Sequence, residues 1–155
     1  MTRILFICHG NICRSTMAQF VLQYLVNGTE LENKVKIDSM ATSTEETGNG
    51  PHRGTVRKLQ SVGIPVLPHR ARQFRFEDYE NWDMIIGMDE ENYRNLMRLT
   101  HGDREQKVSY LLDFAPSQKK DIQDPWYTGN FDQTYEDVRS GCEGLIEYLN
   151  RQYGL

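Results

Sequence analysis

The sequence predicts an α/β fold in three layers, in which a central four-stranded parallel sheet is flanked by helices in a Rossmann-like arrangement. Four short segments have the residue patterns of strands, and segments with helical spacing of apolar residues separate them. Alternating strands and helices favour parallel strands that are joined by crossover helices. Ligands of such sheets bind at the carboxyl ends of the strands, so the residues that follow each strand are the first candidates for a site.

The first predicted unit is a strand, a tight loop and a helix. Residues 3–7 form a short, mostly apolar run of the kind that is buried on both faces of a sheet. The turn-rich segment CHGNICRST follows this strand and leads into the helix. Asn27 and the glycine after it predict where the helix ends. The apolar residues of the helix recur at helical spacing and are Met17, Val21, Tyr24 and Leu25.

The next units repeat this alternation. Residues 34–39 alternate in polarity and predict the second strand, and residues 42–54 predict a long polar loop. Residues 56–62 have a helical pattern that a glycine closes. Residues 82–87 are apolar and predict the third strand, after which Asp89 is expected to cap the next helix.

The last part of the chain adds the fourth strand and a final helix. Residues 107–112 have a strand pattern, and residues 113–134 are predicted to form a loop because they contain prolines and a glycine. The final helix presents one apolar stripe, formed by Val138, Cys142, Leu145, Ile146 and Leu149.

Length and composition indicate one domain, residues 1–155, of ordinary globular character. The 18 basic and 22 acidic side chains give a net charge of −4, which argues against broad nucleic-acid binding. No apolar run approaches the roughly 18 residues of a membrane helix, and the N-terminus lacks a signal-peptide pattern. We therefore expect a cytoplasmic protein with no membrane partner. Three cysteines are too few for a disulfide framework and suggest reactivity or metal binding instead.

The segment Cys8–Ser15 is predicted to form a phosphate-binding loop after the first strand. Backbone amides of such a loop can form an anion nest, and the helix N-terminus adds partial positive charge. The Arg14 guanidinium can bind two phosphate oxygens, and the positive cup favours Cys8 as a thiolate, with Ser15 as a donor to its sulfur. A thiolate beneath a bound phosphate is placed for in-line attack on phosphorus. The predicted phosphate-binding residues are His9, Gly10, Asn11, Ile12, Cys13, Arg14 and Ser15.

Two other interpretations of this segment stay open at this point. One is a buried cysteine beside a helix-capping loop, because a bare C-x5-R pattern also occurs by chance. The other is a metal site formed by Cys8, His9 and Cys13, although a C-x4-C spacing with an adjacent histidine does not match common zinc sites. Cys142 stands alone on an apolar stripe and is expected in the core. We predict no metal ion and no organic cofactor.

The sequence resembles the low-molecular-weight protein tyrosine phosphatases over essentially its whole length. The segment Cys8–Ser15 is similar to the signature C-x-G-N-x-C-R-S of that family, and Asp124–Tyr127 is similar to its Asp-Pro-aromatic-Tyr loop. Three further family motifs are matched by residues 39–42, 69–73 and 88–92. The resemblance implies a cysteine-dependent phosphatase with Cys8 as nucleophile, Arg14 as phosphate ligand and Asp124 as general acid.

Asp124 also fits the chemistry without the family name. A phenolate that leaves phosphorus needs a proton, and the water that attacks next needs a base, so one carboxyl group can serve both steps. An Asp-Pro pair that only starts a turn is the alternative interpretation. By resemblance, the walls of a deep slot for a phenyl ring are formed by Ile12, Trp126 and Tyr127. Phosphoserine would not reach the nucleophile at the floor of this slot.

The resemblance assigns further residues to the support of the loop. Asn11, Ser15, Ser39 and His69 match a family hydrogen-bond network. Asp89 contacts the arginine side of the cup, caps the following helix, or does both. Cys13 matches a cysteine that forms a protective disulfide with the nucleophile, whereas its alternative role is a small buried apolar residue. The sequence departs from the family at Thr16, where proline is usual, and this affects helix rigidity more than chemistry.

Other functions on the same architecture are less compatible with the residues present. Thioredoxin-coupled arsenate reductases need two further cysteines, and residues 70–100 contain none. Protein-arginine phosphatases carry threonine and glycine where Ile12 and Tyr127 stand. A phosphate-binding module without catalysis would not need both Cys8 and Asp124. We therefore expect hydrolysis of phosphotyrosine in proteins, a tyrosine kinase being one candidate substrate, with inorganic phosphate as product.

Overall fold

Four parallel strands form the central sheet of the computed structural model, which describes all residues from Met1 to Leu155. Their spatial order is β2-β1-β3-β4, and the strands are β1 (Thr2–Cys8), β2 (Val35–Ala41), β3 (Met84–Gly87) and β4 (Val108–Tyr110). β1 pairs with β2 along its whole length, from Thr2 opposite Val35 to Cys8 opposite Ala41. The predicted four-stranded parallel sheet is confirmed.

Five α-helices surround the sheet. They are α1 (Arg14–Val26), α2 (Arg53–Ser61), α3 (Glu90–Leu99), α4 (Pro125–Thr128) and α5 (Phe131–Gln152). Two short 3-10 helices lie at Phe76–Asn81 and Leu111–Phe114. No helix is both long enough and apolar enough to cross a membrane.

The central strand β1 explains the three-layer arrangement. Its side chains alternate between two apolar cores, because successive residues of a strand point to opposite faces of the sheet. Ile4, Phe6 and Cys8 belong to the core that includes α1 and α5, whereas Leu5 and Ile7 belong to the core on the other face, with residues of β3 and α3. The apolar run at the start of the chain is therefore buried on both sides, as predicted.

Several predicted boundaries are wrong by two or more residues. The second strand continues to Ala41 rather than ending at residue 39, because Ala41 pairs with Cys8 and also bridges to Gln73. The third strand begins only at Met84, after the 3-10 helix, and the fourth ends at Tyr110, where the chain turns into the second 3-10 helix. Residues 40 and 41, which follow the predicted strand, lie within the observed one.

The predicted loop over residues 113–134 is the largest error. The chain forms α4 there and begins α5 at Phe131. Side-chain caps explain both helices: Asp124 accepts a hydrogen bond from the Trp126 amide, and Asn130 accepts one from the Gln133 amide. Similarly, α2 begins at Arg53, three residues earlier than predicted, after the His52 cap.

Candidate active site

The segment Cys8–Ser15 connects the carboxyl end of β1 to α1 and wraps into a loop. Its carbonyl groups point outward to neighbouring segments. The Cys8 and His9 carbonyls accept hydrogen bonds from the amides of Thr42 and Ser43, and the Ile12 carbonyl accepts one from His52. With the carbonyls held outward, the amides of the loop are free to face its interior.

The interior of this loop is an anion nest. The backbone amides of residues 9, 10 and 12–15 donate no hydrogen bond within the protein. Cys13, at the N-cap of α1, provides no side-chain cap for the helix. Free amides and the uncapped N-terminus of a 13-residue helix together attract a negatively charged group.

The Cys8 sulfur lies at the bottom of this nest, and its side chain is almost completely buried. The Asn11 amide lies 3.3 Å from the sulfur, and the Ser15 hydroxyl oxygen lies 3.0 Å from it. Because the Asn11 side chain already donates to Ser15 Oγ, the Ser15 hydroxyl hydrogen is free to donate to the sulfur. Both donors are directed at the sulfur and hold it at the bottom of the nest.

Asn11 is the centre of the network that holds the loop. It adopts a left-handed conformation with φ of 60°, which asparagine tolerates better than most residues. Its Nδ2 donates to Ser15 Oγ at 2.8 Å and to Ser39 Oγ at 2.9 Å, and its Oδ1 lies 2.8 Å from His69 Nε2. Ser39 in turn donates to Gln19 Oε1. The side chain of Asn11 thereby ties the loop to α1, β2 and the segment before the first 3-10 helix.

His69 completes the network as a neutral donor. Burial lowers its pKa below the ordinary value, and the nearby Asp38 carboxylate opposes this only in part. In the neutral form a hydrogen on Nε2 donates to Asn11 Oδ1, which has no hydrogen of its own to offer. A hydrogen on Nε2 therefore matches the orientation of the Asn11 amide.

Arg14 is the first residue of α1, and its side chain is only 2% exposed. Nη1 donates to Asp89 Oδ2 at 2.5 Å and to the Ile122 carbonyl at 3.0 Å. Nε is buried without any hydrogen-bond partner. Burial lowers the pKa of Arg14, but the charges of Cys8 and then Asp89 outweigh it and raise the pKa above its ordinary value. A permanently charged guanidinium with an unused, buried donor is suited to bind an anion in the nest.

Asp89 and Asp124 each combine a cap with a contact to Arg14. One oxygen of Asp89 accepts from the Asn92 amide at 2.8 Å, and the other contacts Arg14. Asp124 uses Oδ1 to accept from the Trp126 amide at 3.0 Å, and its Oδ2 lies 3.3 Å from Arg14 Nη2. Capping fixes the direction of both carboxylates, and Asp124 lines the same pocket as Cys8.

The mouth of the pocket combines one buried apolar side chain with two exposed aromatic ones. Ile12 lies on one wall, with Trp126 and Tyr127 beside it. Trp126 is 56% exposed and Tyr127 is 82% exposed, so both can contact a ligand. Glu45 and Glu46 line the pocket as well.

Comparisons with known proteins agree with this geometry. A sequence model of the family described as "Low molecular weight phosphotyrosine protein phosphatase" matches residues 3–154. The low molecular weight protein-tyrosine-phosphatase YfkJ of Bacillus subtilis is 37% identical over 153 residues, which cover 98% of each chain. The low molecular weight phosphotyrosine protein phosphatase of Gallus gallus is 39% identical over 149 residues, which cover 93% of each.

This chain belongs to the low molecular weight phosphotyrosine protein phosphatase family. Its fold agrees with the crystal structure of YfkJ from Bacillus subtilis, with a TM-score of 0.94 over 98% of this chain and 96% of that chain. The resemblance seen in the sequence and the Rossmann-like fold are thus confirmed.

In this member of the phosphatase family, the predicted site residues lie together around the segment Cys8–Ser15. Asp89 both caps α3 and contacts Arg14, so its two candidate roles coexist. Cys13 is a free, buried thiol, and burial followed by the charge of Cys8 raises its pKa above the ordinary value. Its redox role stays a prediction. No three His, Cys, Asp or Glu side chains are grouped to hold a metal ion.

Sequence reasoning missed four contributors to the site of this phosphatase chain. Gln19 receives the Ser39 hydrogen bond, and the Ile122 carbonyl orients Arg14. Glu45 lies 2.9 Å and Glu91 lies 3.7 Å from the ring of His9, which was itself predicted as a phosphate-binding residue. The acidic pair 45–46 was the only visible signal, since a buried glutamine and a backbone carbonyl have no distinguishing pattern.

Proposed function

We propose that this protein, as a single domain spanning residues 1–155, hydrolyses phosphotyrosine in proteins through a cysteinyl-phosphate intermediate. The observation that carries this proposal is the nest around Cys8, in which loop amides without partners, the N-terminus of α1 and the unpartnered, buried Arg14 Nε belong to one short segment. A tetrahedral dianion fills such a nest better than any neutral group.

In the first step the Cys8 thiolate attacks phosphorus, and a sulfur–phosphorus bond forms as the bond to the tyrosine oxygen breaks. The loop amides and the Arg14 guanidinium stabilise the charge on the three equatorial oxygens. Asp124 supplies a proton to the leaving tyrosine oxygen, so that tyrosine departs as a neutral phenol. The Trp126 amide keeps the Asp124 carboxyl directed toward the pocket.

In the second step water attacks the phosphorus of the cysteinyl phosphate. Asp124, now a carboxylate, takes the proton of that water, and the sulfur–phosphorus bond breaks. Inorganic phosphate is released, and Cys8 returns to the thiolate that Ser15 and the Asn11 amide stabilise. No residue changes its net protonation over the full cycle.

The shape of the mouth supports an aryl phosphate as substrate. Ile12, Trp126 and Tyr127 offer apolar faces to a flat ring, while Cys8 lies buried beneath them. The shorter side chain of phosphoserine would not bring phosphorus to the sulfur. A cytoplasmic location supports this mechanism, because a reducing compartment keeps the nucleophile Cys8 as a free thiol. Tyrosine kinases that carry phosphotyrosine are candidate substrate proteins.

The test is steady-state hydrolysis of three peptides of one sequence that carry phosphotyrosine, phosphoarginine or phosphoserine, between pH 5 and 8. We expect the protein to hydrolyse the phosphotyrosine peptide. In Cys8→Ser the rate of this hydrolysis should fall by a factor of about 10⁴ or more. Cys8→Ser should still bind inorganic phosphate, because the amides and Arg14 remain.

Turnover of phosphoarginine alone would keep the nest but refute the aryl specificity. If the phosphoserine peptide were hydrolysed as fast as the phosphotyrosine peptide, the proposal that the depth of the slot excludes phosphoserine would be refuted. Activity that survives in Cys8→Ser would refute the cysteinyl-phosphate intermediate.

A further inference from the structure

A second depression adjoins the mouth, and it has the opposite charge to the rest of the chain. It is a cleft of about 460 Å³ between α2 and the start of α5. We name it the basic cleft and define it by six of its residues, which are His52, Arg53, Arg57, Lys58, Phe131 and Asp132. None of these residues is part of the phosphate-binding nest or contacts Cys8 or Arg14.

The basic cleft is continuous with the mouth through His52. The His52 ring packs edge-on against Trp126, with ring centres 5.6 Å apart, and stacks on Phe131 at 5.3 Å. The His52 amide donates to the Ile12 carbonyl at 2.8 Å. A chain that leaves the mouth past Ile12 and Trp126 therefore enters the cleft directly.

Two arginines in the basic cleft are without partners. Arg53 and Arg57 are exposed and form neither an ion pair nor a side-chain hydrogen bond within the protein. The one carboxylate of the cleft, Asp132, is paired with Lys58 at 2.9 Å. The cleft thus has a net positive charge in a protein whose total charge is −4.

The other side of the mouth is acidic. Glu46 lies against Gly10, and Glu45 pairs with His9 at 2.9 Å. Glu91 lies 3.7 Å from the other nitrogen of His9. An acidic side chain next to a bound phosphotyrosine is therefore repelled on the side of His9 and attracted on the side of Ile12.

We propose that the basic cleft binds an acidic side chain of the phosphotyrosine substrate, with Arg53 and Arg57 as its ligands. This inference rests on the proposed function. Guanidinium groups match carboxylates in geometry as well as charge. Arg53 and Arg57 are one helical turn apart, about 6 Å along α2. An extended peptide advances about 3.3 Å per residue, so Arg53 and Arg57 together span about two residues of a peptide that leaves the mouth.

The experiment compares phosphotyrosine peptides in which one residue, two to four positions to either side of phosphotyrosine, is Glu or Gln. We expect a Glu peptide on one side to be hydrolysed about three- to fivefold more efficiently than its Gln partner, mainly through a lower KM, at low salt. Raising the salt to about 0.5 M should reduce the preference, because the cleft is open to solvent.

The variants are Arg53→Glu and Arg57→Glu, and Arg104→Glu is the matched control. Arg104 is exposed and follows α3 at the opposite edge of the sheet, so its replacement changes the total charge equally. The preference should vanish or invert in the two cleft variants and persist in the control. Hydrolysis of p-nitrophenyl phosphate, which lacks a peptide, is the reference in each protein.

Each outcome decides the inference. Equal hydrolysis of Glu and Gln peptides by the parent protein, or a preference that survives both cleft variants, would overturn it. An equal loss in Arg104→Glu would attribute the preference to total charge and overturn it as well. Absence of p-nitrophenyl phosphate hydrolysis would instead overturn the proposed function, and this inference with it.

Discussion

At the floor of the site Asn11, Arg14 and Ser15 are almost completely buried, whereas Trp126 and Tyr127 at the mouth are mostly exposed. The floor is held by side-chain hydrogen bonds that reach α1, β2 and the segment around His69. The mouth has few such contacts; Trp126 is held by the Asp124 cap and the edge of His52.

This difference separates two tasks of the site. The floor must present donors in one geometry, since misplacement by about 1 Å costs much of the rate. The mouth can adapt to different peptides. Changes at the floor should therefore lower kcat and stability together, and changes at the mouth should mainly raise KM.

Among the variants that keep the Cys8 nucleophile, Arg14→Lys should have the largest effect. The lysine ammonium is one compact charge and lacks the planar fork of a guanidinium. It therefore cannot contact Asp89 and the Ile122 carbonyl and bind two phosphate oxygens at the same time. We expect kcat/KM for a phosphotyrosine peptide to fall by a factor of about 10² to 10³. Arg72→Lys is the control, because Arg72 is half-exposed and pairs with Asp38 outside the nest. A loss below tenfold would mean that the guanidinium geometry is not needed.

Asp124→Asn tests the acid role of Asp124, which lies between the floor and the mouth of the site. Asparagine can still cap α4 through the Trp126 amide but cannot donate the proton that a leaving phenolate needs. We expect kcat to fall about 10²-fold for aryl phosphates with poor leaving groups and much less for those with good ones. The measurement is kcat across a series of substituted phenyl phosphates. A loss independent of the leaving group would remove Asp124 from the acid role.

Asn11→Ala tests the rigidity of the floor. Alanine loses the hydrogen bonds to Ser15, Ser39 and His69 and is strained at a φ of 60°. Unsatisfied buried groups and backbone strain together predict a loss of about 2–4 kcal/mol in the free energy of unfolding. Asn11→Gly removes the strain alone and should recover about 1 kcal/mol of it. Urea unfolding measures both, and equal stability of the two variants would show that the loop is not strained.

Trp126→Ala tests the adaptability of the mouth. Because Trp126 is more than half exposed, its loss should change the unfolding free energy by about 0.5 kcal/mol or less. KM for phosphotyrosine peptides should rise about three- to tenfold, and kcat should change less. Tyr24→Ala, at an exposed aromatic position of α1, is the matched control. A drop in kcat that exceeds the rise in KM would place Trp126 with the floor.

The same contrast explains what could be predicted from the sequence. The strands of the sheet follow from local patterns, since β1 is apolar on both faces and is followed by turn residues. The loop was recognisable because Cys8, Gly10, Asn11 and Arg14 are close together in the chain. The family and the fold that these residues indicated are confirmed.

Contacts between distant segments could not be predicted from the sequence. The end of β2 depends on a bridge from Ala41 to Gln73, and the orientation of Arg14 depends on the carbonyl of Ile122. Neither has a local signal. The start of α5 was hidden by the glycine and asparagine before Phe131, which resemble a loop until Asn130 is seen as a cap.

His69 gives the smallest and most specific test of the floor. Burial lowers its pKa in the folded protein, so below about pH 6.5 the unfolded chain binds a proton that the folded protein resists. Stability should therefore be complete above that pH and decline as the pH falls toward 5.5, by at most about 1.4 kcal/mol per pH unit for this one proton. His69→Gln still offers an N–H to Asn11 Oδ1 but does not titrate, so its pH dependence should be flatter than that of the parent. Urea unfolding of both proteins between pH 5.5 and 7.5 measures the difference, and parallel curves would show that folding does not lower the pKa of His69.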